Sequence, residues 1–157
     1  MSPKSLAKSL LIQTGVVALL VVGYLAWDSD AIYEWLSGDI EFTAPTQPCD
    51  LHKEACNATL DGTPVTFSIT PRPVPVMQKL HFSVTAPGLP GSELKVELYG
   101  LNMNMGRYSY TLERQSDGIY RGEGMIPSCV GAMQWRANLI SESATRRVGT
   151  YFTFMTE

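Results

Sequence analysis

The sequence predicts a mainly β chain, an antiparallel β-sandwich preceded by one N-terminal transmembrane α-helix. Three observations carry this. Residues 10–27 read LLIQTGVVALLVVGYLAW, 18 residues without a charge. From Leu60 onward apolar side chains recur with period two, interrupted by clusters of Pro and Gly. The 157 residues are 45% hydrophobic and 17% charged, below the globular average of about 25% charged, which argues against disorder and fits one ordinary domain with an anchor.

Taken in order, residues 1–9 form a short tail carrying Lys4 and Lys8. The apolar run 10–27 would span about 27 Å as a helix, close to the hydrocarbon thickness of a bilayer. Lys4 and Lys8 precede it, and Asp28, Asp30, Glu34, Asp39 and Glu41 follow. The positive-inside bias therefore places the N-terminus in the cytoplasm and the rest outside. Tyr24, Trp27 and Trp35 suit an interfacial aromatic belt. A cleaved signal peptide is the alternative, but the run exceeds the usual core of about 7–15 residues and the cleavage site at Ser29-Asp30-Ala31 is poor. Residues 28–48 read as a juxtamembrane tether, a helical turn or two over 31–36 and then a spacer broken by Gly38, Pro45 and Pro48.

Residues 49–157 form the outer domain. Val65, Phe67 and Ile69 alternate with Thr66, Ser68 and Thr70; Leu80, Phe82 and Val84 alternate with His81 and Ser83; Leu94, Val96 and Leu98 alternate with Lys95, Glu97 and Tyr99. Segments 108–114, 118–125, 133–140 and 147–155 continue the pattern, with breaks at Pro71–Pro75, Pro87–Gly91, Asp117-Gly118 and Pro127. About seven short strands at regular spacing imply an antiparallel sandwich of about 100 residues. No period of 20–50 residues recurs, which excludes a solenoid or propeller.

Charge and motif content exclude several functions. Of 12 basic and 15 acidic residues, two bases and no acid lie in 1–27, so the remainder is net −5. That excludes a nucleic-acid binder working by phosphate neutralisation. No nucleophile elbow, phosphate loop, His-Glu-x-x-His or dinucleotide fingerprint occurs, and no enzyme is expected. Asn57-Ala-Thr59 fits a glycosylation sequon of the kind that arises by chance.

Three clusters carry candidate chemistry. Leu101-Asn-Met-Asn-Met-Gly106 breaks the strand alternation and would project Met103 and Met105 on one side. Thioethers are soft ligands suited to Cu(I); the alternative is that both plug core gaps. The second cluster holds Cys129 and Met133, which would complete a sulfur site with that pair, or else serve as a small buried side chain or disulfide partner and a core residue. The third is Cys49-Asp-Leu-His52-Lys-Glu-Ala-Cys56. Its two thiols, on an oxidising face, would by default bridge locally, although Cys129 offers a competing partner. Their spacing fits neither zinc nor a close-spaced redox pair. His52 is a further ligand candidate or a solvated loop residue, and His81 reads as solvent-facing.

The order His81-Phe-Ser-Val, Val96-Glu-Leu, Asn102-Met-Asn-Met-Gly106, Asp117-Gly-Ile-Tyr-Arg-Gly122 and Gly131-Ala-Met-Gln-Trp135 resembles the YtkA-like domain and, in its anchored layout, FixH-like proteins. The resemblance covers about half the chain. It implies an immunoglobulin-type sandwich on the outer face of a bacterial inner membrane and a role in copper handling, including supply to haem–copper oxidases. Carried over residue by residue, the loop methionines map onto Met103 and Met105 and the late-strand Trp onto Trp135. Arg107 and Tyr108 stand where the family's loop often has a nearby His, and the three cysteines lie outside its pattern.

The expectation is therefore a single-pass periplasmic copper-binding accessory protein that delivers Cu(I) to, or assembles, a membrane haem–copper oxidase. Met103, Met105, Cys129, Met133 and His52 would be the ligands. Its partners would be the lipid bilayer through 10–27 and an oxidase subunit or another copper chaperone, with no nucleic acid. The alternative is a metal-free structural or docking subunit of an inner-membrane complex, with the methionine loop as an adaptable contact.

Overall fold

The computed structural model describes residues 3–25, 40–115, 118–128, 130–143 and 146–156. Residues 28–39 of the tether expected over 28–48, together with Trp27, Asp117 and Cys129, lie outside these described residues, whereas 40–48 are described and include a short strand, Glu41–Thr43. Two compact units emerge, Met1–Asp39 and Ile40–Glu157.

In the first unit, α1 runs Pro3–Leu25. Proline suits the first helical turn, where its missing N–H has no partner to lose. Side chains are described over 12–24 of this helix and all are exposed, Leu19 and Tyr24 at 74% and 80%. That stretch is about 20 Å long, and among the described residues no helix is long and apolar enough to cross a membrane.

The second unit is one nine-stranded sheet: β1 Glu41–Thr43, β2 Cys56–Leu60, β3 Thr63–Thr70, β4 Leu80–Thr85, β5 Glu93–Gly100, β6 Arg107–Arg114, β7 Ile119–Gly124, β8 Met133–Glu142 and β9 Arg147–Thr156. The order across it is β1-β9-β8-β5-β6-β7-β4-β3-β2. Every pairing is antiparallel except β1 on β9. The seven strands read from the alternation are all present; β1 and β2 are additional. β2 joins β3 through Asp61 and Gly62, both at positive φ (50° and 74°), the backbone of a two-residue hairpin turn that Asp-Gly adopts readily.

The alternation that predicts the strands also builds the core. β3 and β4 bury Val65, Phe67, Ile69, Leu80, Phe82 and Val84 and turn the intervening residues out. Rings from both halves of the sheet meet there, Phe67 and Phe152 with centroids 5.6 Å apart and Phe82 and Tyr110 at 5.3 Å. Edge-tilted aromatic pairs of this kind stabilise beyond the area they bury. The halves are joined thinly, β6 meeting β7 only at Glu113–Arg121 and Arg114–Tyr120. On the far side the free edges approach, where Arg146 reaches Glu41 at the start of β1 at 2.6 Å and Asp61 of the β2–β3 turn at 3.4 Å. The sheet is thus nearly closed on itself. Buried Glu97 is neutralised by Lys95 at 3.1 Å.

The register also sorts the connections into two ends. One end holds the β2–β3, β4–β5, β6–β7 and β8–β9 turns. The other holds the β3–β4, β5–β6 and β7–β8 loops, the segment before β2 and the close of β9. The candidate chemistry gathers at this second end.

Candidate functional site

The chain has seven methionines. All except Met1 lie at the second end: Met77 in the β3–β4 loop, Met103 and Met105 between β5 and β6, Met125 just past β7, Met133 opening β8, and Met155 near the close of β9. Four of these are well exposed, Met77 at 60%, Met103 at 49%, Met125 at 45% and Met155 at 54%. Met105 is half-buried against the core and Met133 is buried.

The β5–β6 loop is held in a defined shape. Asn102 donates from Nδ2 to the Ala132 carbonyl at 3.0 Å and accepts at Oδ1 from the Gln134 N–H at 3.0 Å. Leu101 N–H donates to the Gln134 carbonyl at 2.8 Å. Asn104 Oδ1 accepts from the Gly106 N–H at 3.0 Å, an Asx turn that reverses the chain into β6. Asn, poor in strands, is here a clamp. A Cβ built on Gly100 would lie 2.0 Å from Met133 Cε and 2.5 Å from the Met103 carbonyl oxygen. Met133 therefore packs directly beneath the loop that presents Met103. The structure thus sets Met133 beside the Met103 backbone, with Met105 two residues on in the same loop and packed against the core.

His52 stands elsewhere. It lies in a turn where Asp50 accepts from Lys53 N–H at 2.9 Å and Glu54 N–H at 3.0 Å, and Asp50 Oδ1 accepts from the His52 N–H at 3.0 Å. Asp50 bridges Thr153 on the outer edge of β9, whereas Gly100 pairs with Trp135 on the far side of β8. Three strand spacings, about 14 Å, separate the two backbones. His52 Nδ1 is buried without a hydrogen-bond partner.

Cys49 and Cys56 are joined in a disulfide with Cα atoms 5.7 Å apart. The bridge ties the segment before β2 to the first residue of that strand. It borders an open groove of about 470 Å³ lined by Cys49, Asp50, Lys53, Gln134, Thr153 and Met155.

Spacing along the chain could not show that Met77, Met125 and Met155 lie at the same end of the sheet as the loop methionines, because only strand pairing sets positions so far apart at one end. Among the described residues no three His, Cys, Asp or Glu side chains are grouped to hold a metal ion. The donors gathered at this end are thioethers, which bind soft monovalent ions and leave hard cations in water. No family model, curated protein or solved structure matches the chain.

Proposed function

We propose that the protein is a membrane-anchored, outer-face copper accessory protein of the YtkA-like and FixH-like kind. Helix α1 with its apolar run is its anchor, and the methionine-bearing end handles Cu(I) for a membrane haem–copper oxidase. The observation that carries the reading is the gathering of six methionines at one end of the domain, four of them exposed. Gap-filling methionines would be buried, and exposed clusters of apolar side chains mark sites of interaction.

The finer fold assignment is an immunoglobulin-like sandwich. It rests on the strand order, with β3-β4-β7 forming one layer and β6-β5-β8-β9 the other, and on the thin β6–β7 joint between them. In this assignment Met103 and Met105 are the first thioether ligands and Met133 supports them from beneath. Cys129, outside the described residues, stays a candidate fourth sulfur. Delivery by ligand exchange at an exposed rim needs no general acid or base, and tethering raises the effective concentration of the donor at its membrane target.

Leu101 at 44% exposure and Val130 at 99% sit at the same end and favour a second reading, a metal-free docking surface. Met103→Leu with Met105→Leu separates the two. Leucine keeps the apolar area and nearly the volume but removes both sulfurs. Under the copper reading the full chain loses one equivalent of Cu(I) in a competition titration. Unchanged Cu(I) binding with unchanged fold would overturn the ligand assignment and leave the docking surface.

A further inference from the structure

The outer face of β4 and β7 holds donors that the Met103–Met105 loop does not use. His81 stands opposite Glu123 in register, its Nδ1 3.4 Å from Glu123 Oε1. Lys79 Nζ lies 2.6 Å from Glu123 Oε2, and this hydrogen bond, more than any other influence, holds the carboxyl below the ordinary 4.5. An ionised carboxylate facing Nδ1 favours the tautomer with its proton there and leaves the Nε2 lone pair for a metal. Imidazole ligands are oriented by carboxylates in this way.

The backbone sets two methionines close to this pair. A Cβ on Gly124 would strike the rings of Phe82 and Tyr110 at 2.5 and 2.8 Å, so position 124 faces the core and the alternation turns Met125 out beside Glu123. Met125 is then the diagonal neighbour of His81, about 7–8 Å away between backbones and within reach of a long side chain. Tyr110 fixes it, its hydroxyl donating to the Met125 carbonyl at 2.6 Å and accepting from its N–H at 3.3 Å. Met77 is brought alongside by its N–H, which donates to the Ile126 carbonyl at 2.7 Å. Its φ of 56° is a left-handed conformation that a methionine seldom adopts.

We propose that His81 Nε2 and the thioethers of Met125 and Met77 form a second soft-metal site, for a monovalent d10 ion such as Cu(I) or Ag(I), with Glu123 as its positioning carboxylate. One imidazole and two thioethers suit a soft ion content with low coordination and offer a hard cation little. The site shares the soft-metal reading of the proposed function but stands on separate residues, so each can fail alone.

The test is Ag(I), a redox-inert stand-in for Cu(I), titrated into the full chain with methionine methyl and histidine side-chain nitrogen NMR as readouts. The Met77 and Met125 methyls and His81 Nε2 should shift together. His81→Gln and Met125→Leu, both surface substitutions, should each weaken that response at least tenfold, while Met103→Leu with Met105→Leu leaves it intact. In metal-free protein Glu123→Gln should move the His81 tautomer balance toward protonated Nε2. The second site falls if Ag(I) saturates while those three signals stay still, or if His81→Gln responds like the parent. Should only Met103 and Met105 move, the loop reading survives alone; should only His81, Met125 and Met77 move, the second site survives alone.

Discussion

Gly100→Ala tests whether the methionine loop is seated as described. Gly100 closes β5 opposite Trp135, and its new Cβ would meet the Met133 methyl at 2.0 Å and the Met103 carbonyl at 2.5 Å. Carbon contacts are comfortable at about 3.5–4.0 Å, so the methyl must retreat by about 1.5 Å and the carbonyl oxygen by about 1 Å. The Met133 methyl ends a flexible side chain and can swing. The Met103 carbonyl is backbone, in a loop that Asn102 clamps to Ala132 and Gln134. Overpacking costs about 1–3 kcal/mol, and a backbone obstacle places this case in the upper half, about 2–3 kcal/mol. Urea unfolding of the full chain, followed through the fluorescence of buried Trp135, measures it. Met133→Ala alone should cost about 2–5 kcal/mol through the cavity it leaves. The double variant removes one of the two clashes, so it should be less destabilised than the sum by about 1 kcal/mol or more. A Gly100→Ala effect within about 0.5 kcal/mol, or strict additivity, would refute the packing of Met133 beneath the loop.

Replacing Cys49 and Cys56 by Ala opens a loop with a sequence separation of 7, and chain entropy sets the expected loss at about 2 kcal/mol, read as the difference between oxidised parent and variant in denaturant. Tyr120→Phe removes a buried hydroxyl that donates to the Gly91 and Leu89 carbonyls at 3.0 and 3.2 Å; Arg114 still serves both acceptors, so the loss should stay near 1 kcal/mol by the same unfolding assay. Because Lys79 depresses the Glu123 carboxyl below 4.5, the stability this pair adds is present above the unfolded-state value and is lost as pH falls through the lower folded value. An NMR titration should show the midpoint rising toward 4.5 in Lys79→Ala; no rise would contradict the pairing.

The strands with one face in the core were legible in the sequence because burial writes itself as alternation. β3 and β4 alternate buried and turned-out positions throughout, and the second half of β9 does so too, while β5 and β8 break the alternation with buried runs over 96–98 and 137–141. β1 had no such signature, since all three of its residues are exposed and it pairs along the edge of β9. β2 was obscured by its cysteine and sequon residues, yet Asp61-Gly62 before Thr63 is a strong hairpin signal that points back to a strand there. Of the site, the Met103–Met105 loop was visible as a local break in pattern. Its relation to Met77, Met125 and Met155 was not, because it depends on β4 pairing with β7 and β8 with β9.

The distribution of sulfur is what the bland reading of these methionines does not cover. Met133, and in part Met105, behave as gap-fillers, being buried against Gly100 and the core. Met77, Met103, Met125 and Met155 forgo burial, and each exposed thioether gives up hydrophobic stabilisation at about 25 cal/mol per Å² that a buried position would supply. Among the described residues the other end exposes Phe42 at 37%, and its turns include Asp61, Gly62, Gly91 and Gly118. Methionine's flexibility also serves an adaptable docking surface, so exposure by itself does not separate the two readings. What separates them is the polarizable sulfur, which the proposed soft-ion site uses and a docking surface does not, and which Met103→Leu with Met105→Leu removes while keeping the apolar area.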